Sequence, residues 1–182
     1  MPFEFEKLSI PEVILIKPKI FADSRGFFLE VYKKNEFSRF GINEDFVQDN
    51  HSYSKKNVLR GLHFQSGSKS QGKLIKCIKG RIWDVAVDIR TKSKSFKKWI
   101  SVELTGENGY MLYIPRGFAH GFLVLSEYAD VFYKCTEEYS PEHEGGIIWN
   151  DPDLAINWPV EKPLTSSKDA KLPLLKDILF LL

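Results

Sequence analysis

Arg81-Ile82-Trp83-Asp84-Val85-Ala86-Val87-Asp88-Ile89-Arg90 is the stretch whose pattern decides the fold class. Trp83, Val85, Val87 and Ile89 fall on one face at a period of two and Asp84 and Asp88 on the other, as a β-strand requires. Outward from it, short apolar or alternating runs bounded by Gly, Pro, Asn and Ser recur at residues 13–17, 27–32, 74–78, 99–104, 110–114, 121–125 and 129–135. Helical periodicity is scarce. Asn35 as N-cap, Phe37 and Phe40 as a buried pair and Gly41 as the stop predict one early helix. Leu174, Leu175, Ile178, Leu179, Leu181 and Leu182 share a face at helical spacing and predict a packing helix at the C-terminus. After Thr136 the pattern gives way to loops carrying Pro141, Gly145-Gly146, Pro152, Pro159 and Pro163. Many short strands with few helices predict a mainly β sandwich or barrel; a jelly roll is such a barrel with room for a ligand inside. A doubly wound α/β fold needs helices between its strands, and the sequence supplies none.

The 182 residues carry 26 Lys plus Arg against 24 Asp plus Glu, a net charge of +2, with 43% hydrophobic and 14% aromatic side chains. This is the profile of a soluble globular protein, and one domain, 1–182, is long enough to bury a core without staples. So small a net charge gives no reason to expect a nucleic-acid partner; Lys55-Lys56 and Lys97-Lys98 read as solvated surface. Cys77 and Cys135 form neither a CxxC spacing nor a disulfide framework and read as reduced thiols of a cytoplasmic protein. Residues 1–7 are acidic and lack the apolar core of a signal peptide. The most apolar stretch, 172–182, is interrupted by Pro173, Lys176 and Asp177 and falls short of the roughly 20 residues of a membrane span. No membrane partner is expected.

Polar residues within the strands of a small barrel point to chemistry, because interior positions are otherwise apolar. Leu59-Arg60-Gly61-Leu62-His63-Phe64-Gln65 brings Arg60, His63 and Gln65 close together. Lys73 shares a face with Ile75 and Cys77; its amine either reaches water at the strand mouth or lines an interior site. His120 opens an apolar strand after the turn at Pro115 and Gly117, and Tyr133 alternates in phase with Val131 and Cys135. Each alone fits a packed core residue with one satisfied hydrogen bond. Together they suit proton abstraction beside a carbonyl. His63 is a base near neutral pH, Tyr133 an acid on the opposite side, Lys73 or Arg60 a cation for the enolate oxygen, and Asp169 a carboxylate orienting the base.

Gly109, Pro115, Gly117 and His120 reproduce the spacing of the second cupin motif. The first cupin motif supplies a His-x-His pair, whereas Gly61-Leu62-His63-Phe64-Gln65 keeps one histidine and has Gln65 in place of the other. Losing such ligands disfavours a metal-dependent cupin, so no metal and no cofactor are expected. Further blocks carry a more specific likeness. They are Asp23-Ser24-Arg25-Gly26-Phe27-Phe28-Leu29-Glu30, Phe46-Val47-Gln48-Asp49-Asn50-His51-Ser52, Gln71-Gly72-Lys73, Tyr133-Lys134-Cys135, Glu144-Gly145-Gly146-Ile147-Ile148-Trp149-Asn150-Asp151 and Ser167-Lys168-Asp169. In these the chain resembles the dTDP-4-dehydrorhamnose 3,5-epimerases almost end to end.

The resemblance implies a cupin-type jelly-roll β-barrel with a few short peripheral helices. It implies inversion of C3 and C5 of a dTDP-linked 4-keto-6-deoxyhexose. His63 would be the base, Asp169 its carboxylate, Tyr133 the acid and Lys73 the cation at the C4 oxygen. Arg60 and His120 would line the sugar site, and Arg25, Glu30, Gln48, Asn50, Glu144 and Lys168 would hold the nucleotide or its diphosphate. Phe27 would stack on thymine or serve the core. Arg25 and Glu30 would reach into a neighbouring subunit, which implies a homodimer with exchanged N-terminal strands. The alternatives are an epimerase acting at one carbon and a cupin that binds nucleotide-sugars without turning them over. Residues 137–143 fit no expected role, and His143 reads as surface.

Overall fold

The computed structural model describes residues 2–181. Its strands are β1 (Phe3–Lys7), β2 (Ile14–Pro18), β3 (Phe21–Asp23), β4 (Gly26–Phe28), β5 (Gln48–Lys55), β6 (Leu59–Gln65) and β7 (Lys73–Lys79). They continue with β8 (Arg81–Asp88), β9 (Trp99–Thr105), β10 (Met111–Ile114), β11 (Phe118–Val124), β12 (Tyr128–Cys135) and β13 (Glu144–Gly146). Two antiparallel sheets result, a six-stranded one ordered β1-β2-β10-β7-β12-β5 and a five-stranded one ordered β13-β6-β11-β8-β9. The hairpin β3-β4 pairs only with itself. The fold is the expected jelly roll.

The two sheets close on a core that includes Ile75 and Val131 from one side and Ile82, Ala86 and Phe122 from the other. A second core covers the outer face of the five-stranded sheet, where Val85, Val87 and Ile89 meet Leu154, Trp158 and Ile178. Both faces of β8 are therefore buried. The aspartate face, not the purely apolar one, points into the barrel, and Asp84 and Asp88 are both fully shielded from solvent. The chain's own C-terminal third supplies the outer cover, so alternation alone does not tell inside from outside.

Several local expectations are corrected. The helix α1 spans Lys34–Arg39 with Lys33, not Asn35, at its N-cap and no side-chain cap bond. Phe37 is buried, but Phe40 is half-buried and stacks on Phe5 at 4.1 Å between centroids. The strand expected over 27–32 ends at Phe28, beyond which the chain carries half-buried Val31 and Tyr32 onto the core around Phe37. At the C-terminus, Leu175–Leu181 is a 3-10 helix. Its repeat of three buries Leu175 and Ile178 and turns Leu179 and Phe180 outward, while Leu181, expected on the packed face, is 40% exposed at the helix end. Leu182 lies outside the described residues.

Candidate active site

A cavity of about 250 Å³ opens between the sheets, lined from one side by Gln48, Asn50, Lys73, Tyr133 and Cys135 and from the other by His63, Phe64, Gln65 and Glu144, with Gln71 and Tyr139 contributed by loops. Strand register builds the first wall. Gln48, Cys135 and Lys73 form one cross-strand row, and Asn50, Tyr133 and Ile75 the next. Paired residues share a face, so these polar groups turn inward together. Gln48 donates to Asn50 Oδ1 at 2.9 Å, and Asn50 donates to Cys135 Sγ at 3.6 Å.

His63 on β6 carries the second wall. Its Nε2 lies 2.8 Å from Asp169 Oδ1, and the other carboxylate oxygen accepts the Gly61 N–H at 3.4 Å. Burial opposes the charge on Asp169, but its bond to His63 and the lesser contributions of Gly61 and Ser166 hold the carboxyl below its ordinary range. One imidazole nitrogen is thus tied down and the other left for a proton. Gly61 is required beside it: its φ is +122°, and a Cβ there would stand 2.5 Å from Gly121 Cα on β11.

Lys73 and Tyr133 are both half-buried. Desolvation lowers the Lys73 pKa, opposed by Cys135, Asp84 and Glu144. Burial raises the Tyr133 pKa, with Cys135 adding to the rise and Arg60 countering it, so the phenol keeps its proton. At the rim, Glu144 accepts from Lys168 at 2.6 Å and from the Tyr139 hydroxyl at 2.9 Å. Burial works against the Glu144 charge, but these two bonds leave its pKa lowered.

Gln65 has a different task. Its amide donates to the carbonyls of Lys69 at 2.7 Å and Glu138 at 3.1 Å and accepts from the Ser140 N–H at 2.7 Å. It grips the loop on both sides of Tyr139, whose own N–H donates to Gln48 Oε1 at 2.7 Å. Where a metal-binding cupin keeps a histidine, this chain spends an amide on backbone. Among the described residues no three His, Cys, Asp or Glu side chains converge as a metal site, so this donor set does not fit one.

Of the residues expected from the sequence, Gln48, Asn50, His63, Lys73, Tyr133 and Glu144 line the cavity. Asp169 lies behind His63, and Lys168 reaches the rim through Glu144. His120 pairs in register with His63 and is held by buried Asp84 at 2.7 Å. Arg60 is exposed, donating from Nε to Ser54 Oγ at 2.9 Å. Arg25, Phe27 and Glu30 do not line this cavity. Arg25 pairs with Asp23 at 2.6 Å, Phe27 is 67% exposed on the hairpin, and Glu30 faces Lys33 at 3.9 Å. Sequence reasoning missed Tyr139 and Gln71, which sit in loops without periodicity, and Asp84, whose signal was the polar face of β8. His143 is half-buried and bonded to Ser140 Oγ at 2.9 Å rather than free at the surface.

Comparison with known proteins gives the chain its relatives. The chain matches the family model described as dTDP-4-dehydrorhamnose 3,5-epimerase over residues 7–177. A dTDP-4-dehydrorhamnose 3,5-epimerase from Salmonella typhimurium is 54% identical over 175 residues, covering 95% of this chain and 96% of that relative. A solved dTDP-6-deoxy-D-glucose-3,5-epimerase from Legionella pneumophila, in complex with dTDP-4-keto-L-rhamnose, superposes with a TM-score of 0.93 at 49% identity, covering 96% of this chain and 93% of that one. A 3'-monoepimerase from Streptomyces bikiniensis, in complex with dTDP-quinovose, gives 0.89 at 32% identity, covering 97% and 90%.

Proposed function

The chain belongs to the dTDP-4-dehydrorhamnose 3,5-epimerase family, and we infer that it inverts C3 and C5 of dTDP-4-dehydro-6-deoxy-D-glucose, giving dTDP-4-dehydro-L-rhamnose for dTDP-rhamnose biosynthesis. The C4 ketone acidifies the C–H bonds on both sides of it. Loss of either proton gives an enolate, and its return from the other face inverts that carbon. His63 is the base, with Asp169 stabilising the imidazolium that forms. The Lys73 ammonium meets the negative charge developing on the C4 oxygen. Tyr133 returns the proton. One observation carries this reading: base and phenol enter a common cavity from different sheets, so a ring lying between them is flanked by both.

Arg60 and His120 contact the sugar, and Gln48, Asn50, Glu144 and Lys168 hold the nucleotide and its diphosphate. Arg25, Phe27 and Glu30 serve a neighbouring copy in a homodimer with exchanged N-terminal strands. The exposure of Phe21, Phe27 and Phe28 on a hairpin that pairs only with itself supports that arrangement. The reading treats 1–182 as one domain of a cytoplasmic enzyme; among the described residues no helix is long and apolar enough to cross a membrane.

Turnover in heavy water tests the reaction. Deuterium is expected at both C3 and C5, and in Tyr133→Phe its uptake should persist while inversion falls about 100-fold or more. Label at a single carbon would move the chain to the monoepimerases, and none with binding intact would leave a nucleotide-sugar-binding protein.

A further inference from the structure

Asp84 lies in the middle of β8, fully shielded from solvent, with its side chain inside the barrel. One carboxylate oxygen is bonded to His120 Nε2 at 2.7 Å; the other, also buried, has no hydrogen-bond donor among the described residues. A buried carboxylate with one partner is costly, and a core position gains nothing from it. Register shows what it serves. His63 pairs with His120, His120 with Ala86, and Phe122 with Asp84, so both histidines and Asp84 share the interior face of β6, β11 and β8. Lys73 and Tyr133 face them from the other sheet.

We propose that Asp84 is a positioning residue of the reaction: from beneath the cavity it fixes His120 and supplies the negative charge that keeps the Lys73 ammonium in place for the C4 oxygen. This rests on the epimerase reading and goes a step further. The titratable groups that line the cavity with Lys73 are Tyr133 and Cys135 on β12, His63 on β6, Glu144 on β13 and Tyr139 in the loop after β12, and Asp84 on β8 and His120 on β11 lie on the interior face of the opposite sheet. Glu144 is already paired with Lys168 at 2.6 Å, and Asp169 with His63 at 2.8 Å. Asp84 is paired with His120 alone, at 2.7 Å, and of these three carboxylates it is the one that keeps a buried oxygen without a donor among the described residues. Consistently, burial lowers the Lys73 pKa, and Asp84 is among the groups that oppose the fall.

The isosteric Asp84→Asn variant tests this through the pH dependence of kcat/KM. The alkaline limb should move to lower pH by about one unit, and kcat at neutral pH should fall about 10-fold or more with KM little changed. A purely structural aspartate would lower activity without moving the limb, and an unmoved limb overturns the proposal. Lys73→Ala, assayed in parallel, separates the two levels of inference. If it keeps parental turnover, the epimerase assignment of Lys73 has failed; if it is inactive while the limb of Asp84→Asn stays put, only the role of Asp84 has failed. Should Asp84→Asn not fold, NMR titration of labelled lysines in the unmodified protein decides: a Lys73 amine found neutral at pH 7 overturns the proposal, and one found charged supports it.

Discussion

Asp84 and Asp88 stand four positions apart on β8, face the same interior and are both closed off from solvent, yet they live in opposite surroundings. Asp88 is saturated. Its Oδ1 accepts from the Arg90 N–H at 3.0 Å and Nε at 2.9 Å, and its Oδ2 from Arg90 Nη2 at 2.7 Å and from Ser93 and Ser95 at 2.6 Å each. Burial alone would raise its pKa, but these bonds outweigh burial and bring it to about 2. Arg90 also lies 4.7 Å over the Phe118 ring and 3.1 Å from Glu12, knotting the rim of the barrel. Among the described residues Asp84 has a single hydrogen-bond partner, His120, which pairs in register with His63. Saturated polar groups hold the fold; an undersaturated one beside a cavity is a candidate for function.

If that contrast is sound, substitutions at the cavity end change chemistry and spare stability, and those at the Asp88 end do the reverse. The largest effect is expected for His63→Asn. Deuterium uptake at both carbons should fall by about 1,000-fold or more with the melting temperature within a few degrees of the parent, as stopped-assay NMR and calorimetry would show. Next comes Asp88→Asn, which should keep parental kcat and lose about 2 kcal/mol of stability at pH 7. The sign follows from a folded pKa below the unfolded one. The stabilisation is present above the unfolded value and disappears as pH falls from about 5 towards 2, so urea melts of parent and variant should converge in acid. The smallest effect belongs to Gln65→Leu. Freeing the loop around Tyr139 should raise KM about 10-fold and leave kcat within about 2-fold. A large kcat loss there would blur the division between scaffold and site.

The β architecture was legible because alternation over 81–90 and its neighbours is a local signal. β5 was not, since Gln48, Asn50 and Ser52 are polar on the very face that turns inward, and its strand character rests on pairing with β12. Lys73 and Tyr133 were legible as polar residues in phase with apolar ones, and His63 as one of three polar residues gathered within 59–65. Tyr139 was not, because what holds it is Gln65, far away in sequence, acting through backbone groups that no side-chain pattern reports. The C-terminal helix was read with the wrong period: Leu175 and Ile178 fit both repeats, and only packing chooses between them.

Hanging the proposed base and acid, His63 and Tyr133, on different sheets makes their separation a property of the barrel's thickness. Ile75, Phe122 and Val131, core residues between the two sheets, are the shims that set the bite of the jaws. If His63 and Tyr133 act as proposed, thinning one of them should narrow or skew the gap that a hexose ring enters, and the volume of the core would bear on stereochemical fidelity.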